Sequence, residues 1–377
     1  MDASNGEGLK YKIIKLLRLK IIDVYIIRKF LGSFILAITL ILTIAVVFDI
    51  SEKIDDFMEN EANLRAIVFE YYMNFIPYFG VLFSSLFTFI AVIYFTSRMA
   101  YNTEIIAILN SGMSFRRLLR PYFISSVIIA VVAFILSDRV IPQGNKVRLD
   151  FEERFIHNRP VRFRTKNFHR QIEPGVFVYL QNYSNVSKVG YNFALEKFED
   201  GHLVSKLMAD QIRWDTATDK WKLRRYYIRE IDGLEEEIKT GRSLDTTINM
   251  HPEDFSRRLN VVETMSLKEL DEFIQQQKMQ GETAVKAYQI ERHKRIAFPF
   301  STVILTFIGV AVSSRKVRGG IGIQIALGVV ISFIYILFMQ FSSQFAIGGL
   351  LPVALAAWLP NIVFAGVALY LFRLAPK

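Results

Sequence analysis

FLGSFILAITLILTIAVVF, Phe30–Phe48, runs for 19 residues without a charged side chain. A helix needs about 20 apolar residues to cross a ~30 Å hydrocarbon core, so this stretch reads as a membrane span. Working outward, five more segments read the same way: Tyr71–Thr96 with Asn74 and Pro77 inside it, Pro121–Ser137, Ile296–Ser314, Ile321–Phe341 and Leu351–Leu371. Composition agrees. The 377 residues are 52% hydrophobic with 32 Phe and only 22% charged, which excludes a disordered chain. A mean hydropathy of +0.27 is too low for a protein that is all membrane, so the apolar segments must be balanced by a polar domain. No cysteine is present, which removes disulfide scaffolds and cysteine-based zinc or redox sites.

Lys and Arg in the short loops set the orientation. Lys10, Lys12, Lys15, Arg18, Lys20, Arg28 and Lys29 precede the first span. The loop after it is acidic, with Glu52, Asp55, Asp56, Glu59 and Glu61 against Lys53 and Arg65. Arg98, Arg116, Arg117 and Arg120 follow the second span, Arg315, Lys316 and Arg318 follow the fourth, and Arg373 and Lys377 follow the sixth. All of this fits one scheme, with both termini inside and residues 143–295 outside. The net charge of +10 is then explained by anionic lipid headgroups rather than by nucleic acid.

From Val176 the pattern changes to short alternating segments. Val176–Leu180, Val189–Phe198, Leu203–Ala209, Gln211–Trp214 and Trp221–Ile231 read as strands, separated by Asp- and Gly-containing turns and closed by Gly233. Such spacing predicts an antiparallel sheet, a sandwich or jelly roll. Trp214 and Trp221 flank one turn, where they can stack across strands. Ser266-Leu267-Lys268-Glu269 is a capping box opening a helix that can break at Gly281 and resume near Glu282. That helix enters the fourth span through Glu291-Arg292-His293-Lys294-Arg295. Two readings fit this outer basic cluster: a solvated helix end, or a contact for anionic lipid phosphates through Arg292 and Arg295, which share a face.

Several chemistries are missing. There is no Walker loop, no paired histidines at metalloprotease spacing and no G-x-S-x-G element. The spans are almost free of charge, unlike ion-coupled carriers. No catalytic residue, metal or cofactor is expected, and a carrier of this kind must draw its energy from a partner.

RMAYNTEIIAILNSGMSFRR, Arg98–Arg117, offers a docking surface for one. Asn102 or Thr103 can cap a short helix, Ile105, Ile106, Ile108 and Leu109 give it an apolar face, and Gly112 can end it. The arrangement of Arg98, Glu104, Ala107, Ser111 and Gly112 resembles the coupling segment of the LptF/LptG lipopolysaccharide export permeases. Asp23-Val24-Tyr25 with Arg28-Lys29-Phe30, Met265–Leu270 and Trp358-Leu359-Pro360-Asn361 resemble further signatures of that family, in the same order along nearly the whole chain. The resemblance implies a polytopic helical membrane protein of six spans with an inserted periplasmic antiparallel β domain, jelly-roll-like. Its divisions are residues 1–142 with the coupling helix near 98–117, the β domain at 143–263, a helical connector at 264–295, and the last three spans at 296–377. It also implies partners: a paired homologous permease subunit, a cytoplasmic ABC ATPase dimer contacted by Glu104 and shaped around by Arg98 and Ser111-Gly112, and periplasmic bridge proteins with similar domains. Lipopolysaccharide would be extracted from the outer leaflet of the bacterial inner membrane, with Lys53 as the basic position at the outer end of the first span. The other class of reading is a membrane-anchored sensor or assembly scaffold whose β domain binds a ligand.

Overall fold

The computed structural model describes residues 19–156, 164–184, 187–216, 218–233, 235–252, 259–279, 285–315 and 320–374. Lys10 to Arg18, the helix restart at Gly281 and Glu282, and Lys316, Arg318 and Lys377 lie outside them. The described helices are α1 (Ile21–Glu59), α2 (Leu64–Tyr101), α3 (Glu104–Asn110), α4 (Phe115–Phe155), α5 (Leu267–Met279), α6 (Val285–Ser313), α7 (Gly320–Ile347) and α8 (Val353–Leu374). Six of these are long and apolar enough to cross a membrane: α1, α2, α4, α6, α7 and α8. The helices outrun their apolar windows. At about 1.5 Å per residue α1 is roughly 58 Å long, nearly twice a hydrocarbon core.

Two compact units are present. One comprises the chain up to Asp55, Asn63–Arg148 and Gln289 onward; the other comprises Asp56–Ala62 and Leu149–Tyr288.

In the first unit the spans pack through small residues. A side chain at Gly309 of α6 or Gly328 of α7 would collide with Phe89, Val92 or Ile93 of α2, so both glycines permit close helix approach. Around them Leu305, Ile308, Tyr335, Met339 and Phe364 form one apolar cluster. The Trp358-Leu359-Pro360-Asn361 motif ties three spans together. Pro360 has no N–H to give the Ala356 carbonyl, and Ser342 Oγ of α7 donates to that carbonyl instead at 2.6 Å. Asn361 Nδ2 donates to the Ala297 carbonyl of α6 at 2.8 Å, and its Oδ1 accepts from Tyr335 at 2.9 Å.

The second unit carries a six-stranded antiparallel meander: β1 (Arg164–Glu173), β2 (Val176–Ser184), β3 (Val189–Glu199), β4 (His202–Asp215), β5 (Lys220–Asp232) and β6 (Glu235–Thr246), paired in sequence order. One row interrupts the pairing of every strand, passing through Asn167, Gln181, Asn192, Asp210, Arg225 and Arg242. Asn192 and Arg225 are left-handed there, at φ 51° and 50°. Inward positions change parity across the row: Val178 and Leu180 give way to Tyr183, Phe193 to Gly190, Ala209 to Ile212, and Tyr226 to Leu223. The sheet is therefore creased into two arms that face a common core, and the crease is polar outside, with Gln181 bonded to Asn192 and Asp210 paired to Arg225 at 2.7 Å. Trp214 and Trp221 are register partners in edge contact at 5.0 Å, as the sequence suggests, and the Trp221 indole donates to the Met250 carbonyl at 2.7 Å.

The capping box is formed: Ser266 N–H meets Glu269 Oε2 at 2.7 Å, and Glu269 N–H returns to Ser266 Oγ at 3.4 Å. The helix it opens, α5, buries Leu270, Phe273 and Ile274 against Val262 and Tyr288.

Candidate functional site

The segment between α2 and α4 is shaped by two left-handed residues. Thr103 sits at φ 60° before α3, and Gly112 at φ 86° follows it, where a glycine carries no steric penalty. Thr103 occupies the cap position expected from the sequence, but its hydroxyl makes no capping bond. Its left-handed backbone differs from the extended one in which a cap side chain reaches the next turn's amides. Glu104 stands at the positive end of the short helix instead, where a carboxylate is favoured. Ser111 Oγ turns back to the Ile108 carbonyl at 2.7 Å, and Ser114 accepts from the Arg117 N–H to start α4.

α3 has two sides. Ile105 is buried with Ile26, Phe30, Phe115, Leu118 and Leu119, while Ile108 and Leu109 pack on the same cluster. Ile106, Ala107, Ser111 and Gly112 are exposed, as is Arg98, and Glu104 is half-buried. The five residues singled out from the sequence thus belong to one turn-helix-turn segment with an open face of Ile106 and Ala107.

Sequence reasoning missed the residues that hold this segment. Tyr25 of α1 donates from its hydroxyl to Glu104 Oε2 at 3.0 Å, and Asn102 Nδ2 donates to Oε1 at 3.4 Å. Arg117 grips Asp23 through both terminal nitrogens, at 2.7 and 2.5 Å, and Asp23 is 1% exposed. The signal was present in Asp23-Val24-Tyr25, a motif without a role until its partners, about 80 and 94 residues away, are placed beside it.

Lys53 and Arg295 are each engaged by a carboxylate. Lys53 donates to Asp49 at 2.7 Å and to the Tyr71 hydroxyl, and lies over the Tyr71 ring. Tyr72 donates to the other Asp49 oxygen at 3.0 Å. A π-helical turn at Ile67–Tyr72 precedes α2's regular run, and both of these adjacent tyrosines reach one carboxylate. Arg295 is buried against Glu291 of its own helix at 3.2 Å, and Arg292 is half-buried. Among the described residues no three His, Asp or Glu side chains gather as metal ligands.

Among curated proteins none matches the chain. The family model for the lipopolysaccharide export system permease LptF/LptG matches residues 24–374. That match runs through α1 to α8 and the creased sheet, with Tyr25, Glu104 and Arg117 inside it. With six helices able to span a bilayer and a β domain inserted between the third and fourth of them, the chain is a multi-pass membrane protein and belongs to the LptF/LptG family of lipopolysaccharide export permeases.

Proposed function

We propose that the chain is one of two homologous permease subunits in an ATP-driven exporter that extracts lipopolysaccharide from the outer leaflet of the inner membrane. A separate cytoplasmic ABC ATPase dimer docks on α3, and the β domain, in the periplasm, passes the lipid to bridge proteins of similar fold. The observation that carries this reading is the exposed face of α3, flanked by Arg98, Glu104, Ser111 and Gly112 and anchored from behind by Ile105. The apolar window of α1, only 6% buried within the chain, supports pairing with a second subunit.

Acyl chains contribute about 0.8 kcal/mol per methylene relative to water, but they start in a bilayer, so burial alone does not drive extraction. ATP must favour one cavity shape over another, through differential binding to the two states. Lys53, Arg292 and Arg295 are the positions proposed for headgroup phosphates. At Lys53 and Arg295 a phosphate would exchange with Asp49 or Glu291, replacing one charge-assisted bond by another.

The test is co-purification of the membrane complex with its soluble ATPase. Glu104→Ala removes a charge-assisted contact of about 1.5–3 kcal/mol. The expected result is a normally inserted permease with at least tenfold weaker ATPase retention or export. Full retention and export at the unmutated rate would reject the role of Glu104. An unmutated chain that binds no ATPase would favour a sensor or scaffold.

A further inference from the structure

α1 is held firmly at its start and loosely along its middle. At the start, the Asp23 carboxylate takes both Arg117 nitrogens and also the Lys20 N–H at 2.8 Å, so its position and its orientation are fixed together. Two residues on, the Tyr25 hydroxyl reaches Glu104. These two partners bracket the segment between the second and third spans: Glu104 opens α3, and Arg117 lies in the first turn of α4. Ile26 and Phe30 continue the Asp23 face of α1 into the cluster that buries Ile105, Phe115, Leu118 and Leu119. Beyond this base the intrachain packing thins. The apolar window of α1 is 6% buried, against 22–50% for the other five spans.

Gripped at its start and thinly packed through its middle, until Tyr71 and Tyr72 of α2 reach Asp49, α1 can tilt about its base as a lever. A tilt of about 5° at the base displaces a point across a ~30 Å core by roughly 3 Å. α2 and α4 are continuous with the segment's two ends, but α2 is pinned along its length by α6 and α7 at Gly309 and Gly328.

We propose that Asp23 and Tyr25 are positioning residues through which α3 and its flanking turn steer α1, making α1 the span that carries ATP-driven motion across the membrane. This rests on the docking of an ATPase at α3. The grip works as a pair: the bidentate ion pair resists rotation of α1 about its own axis, and the tyrosine links it to the first residue of α3. An ion pair that merely stabilised the fold would matter for assembly and not for the ratio of lipid moved to ATP consumed.

The absence of cysteine makes a direct test available. Spin labels go on Ile44→Cys in α1 and Phe333→Cys in α7, both exposed positions. Their separation is measured by pulsed electron paramagnetic resonance in the full complex with the ATPase, in nanodiscs, with and without ATP and vanadate. Tyr25→Phe and Asp23→Asn, which keep side-chain shape, are compared with the charge-swapped pair Asp23→Arg with Arg117→Asp. The expected result is a nucleotide-dependent shift in the unmutated complex, reduced at least twofold in both single variants while the ATPase stays bound. Lipid exported per ATP falls about tenfold, and the swap recovers more than half of the loss of shift and of export seen in Asp23→Asn. Single variants that hold the ATPase and give the full shift and unchanged export per ATP would overturn the proposal. So would failure of Tyr25→Phe to assemble, or failure of Asp23→Asn to assemble without rescue by the swap, since that is a purely structural role. If the unmutated chain holds no ATPase, the docking reading falls first, and the lever with it.

Discussion

Asn361 shows what a single polar side chain does in an apolar surrounding. Its amide uses a donor on the Ala297 carbonyl and an acceptor on the Tyr335 hydroxyl, joining three spans at one point. Asn361→Leu is expected to cost about 1–2 kcal/mol, because both partners lose their bond where no water replaces it. Denaturation of the detergent-solubilised protein by increasing sodium dodecyl sulfate would read this as a lower midpoint, and an unchanged midpoint would show that the knot contributes nothing. The sequence marks Asn361 through its motif but not its partners, which lie 26 and 64 residues away. Lys53 teaches the converse. Taken alone it is the one cation at the outer end of the first span, but Asp49, one helical turn earlier, already neutralises it. That pairing was legible from the i, i+4 spacing; the two tyrosines closing over the carboxylate were not, since they depend on the register of α2 beside α1.

Elements were legible where their apolar period was strong. The six expected spans lie inside helices to within two residues at their ends, and β2, β3 and β5 match the expected strands within a few residues. β1 and β6 were not anticipated because they are the edges. RTKNFHRQIE and EEEIKTGRSLDT carry four and six charged residues, the device by which edge strands avoid pairing with other chains, and it erases alternation. β4 was read as two strands, Leu203–Ala209 and Gln211–Trp214, because its inward parity changes at Asp210. That break is the crease. At Arg225 the left-handed backbone excludes a β-branched side chain, so Arg225→Val should destabilise the β domain by about 1–2 kcal/mol, while Arg225→Gly should not. Trp214 and Trp221 report on this domain once Trp358, the third tryptophan, is replaced by Phe. A urea midpoint by fluorescence that is equal for the Val and Gly variants would show that the crease does not depend on this conformation.

For the whole molecule the arrangement of charge predicts a topology. Every short loop rich in Lys and Arg falls on one side of the scheme, so the region 143–295 is expected outside and Arg98–Arg120 inside. Asp200, exposed in the turn between β3 and β4, is a suitable position for a single introduced cysteine. It should react with an impermeant maleimide in cells whose outer membrane alone is opened; reaction only after the inner membrane is also breached would invert the scheme. The loop-charge count could be read from residues alone, whereas membership of Asp56–Ala62 in the β-containing unit could not, because it depends on Phe57 meeting Phe151 and Asn60 reaching the Phe155 carbonyl at 2.8 Å. The order of the strands bears on how such a chain is made. Each strand pairs only with its neighbours in sequence, so none has to wait for a distant segment. A domain of this kind can zip up hairpin by hairpin as it leaves a translocation channel, with short loop closures and low contact order. Having no cysteines, it needs no oxidant on the far side. On the expected topology secretion and folding would proceed in one direction, and the last strand would complete the sheet before α5 and the fourth span follow.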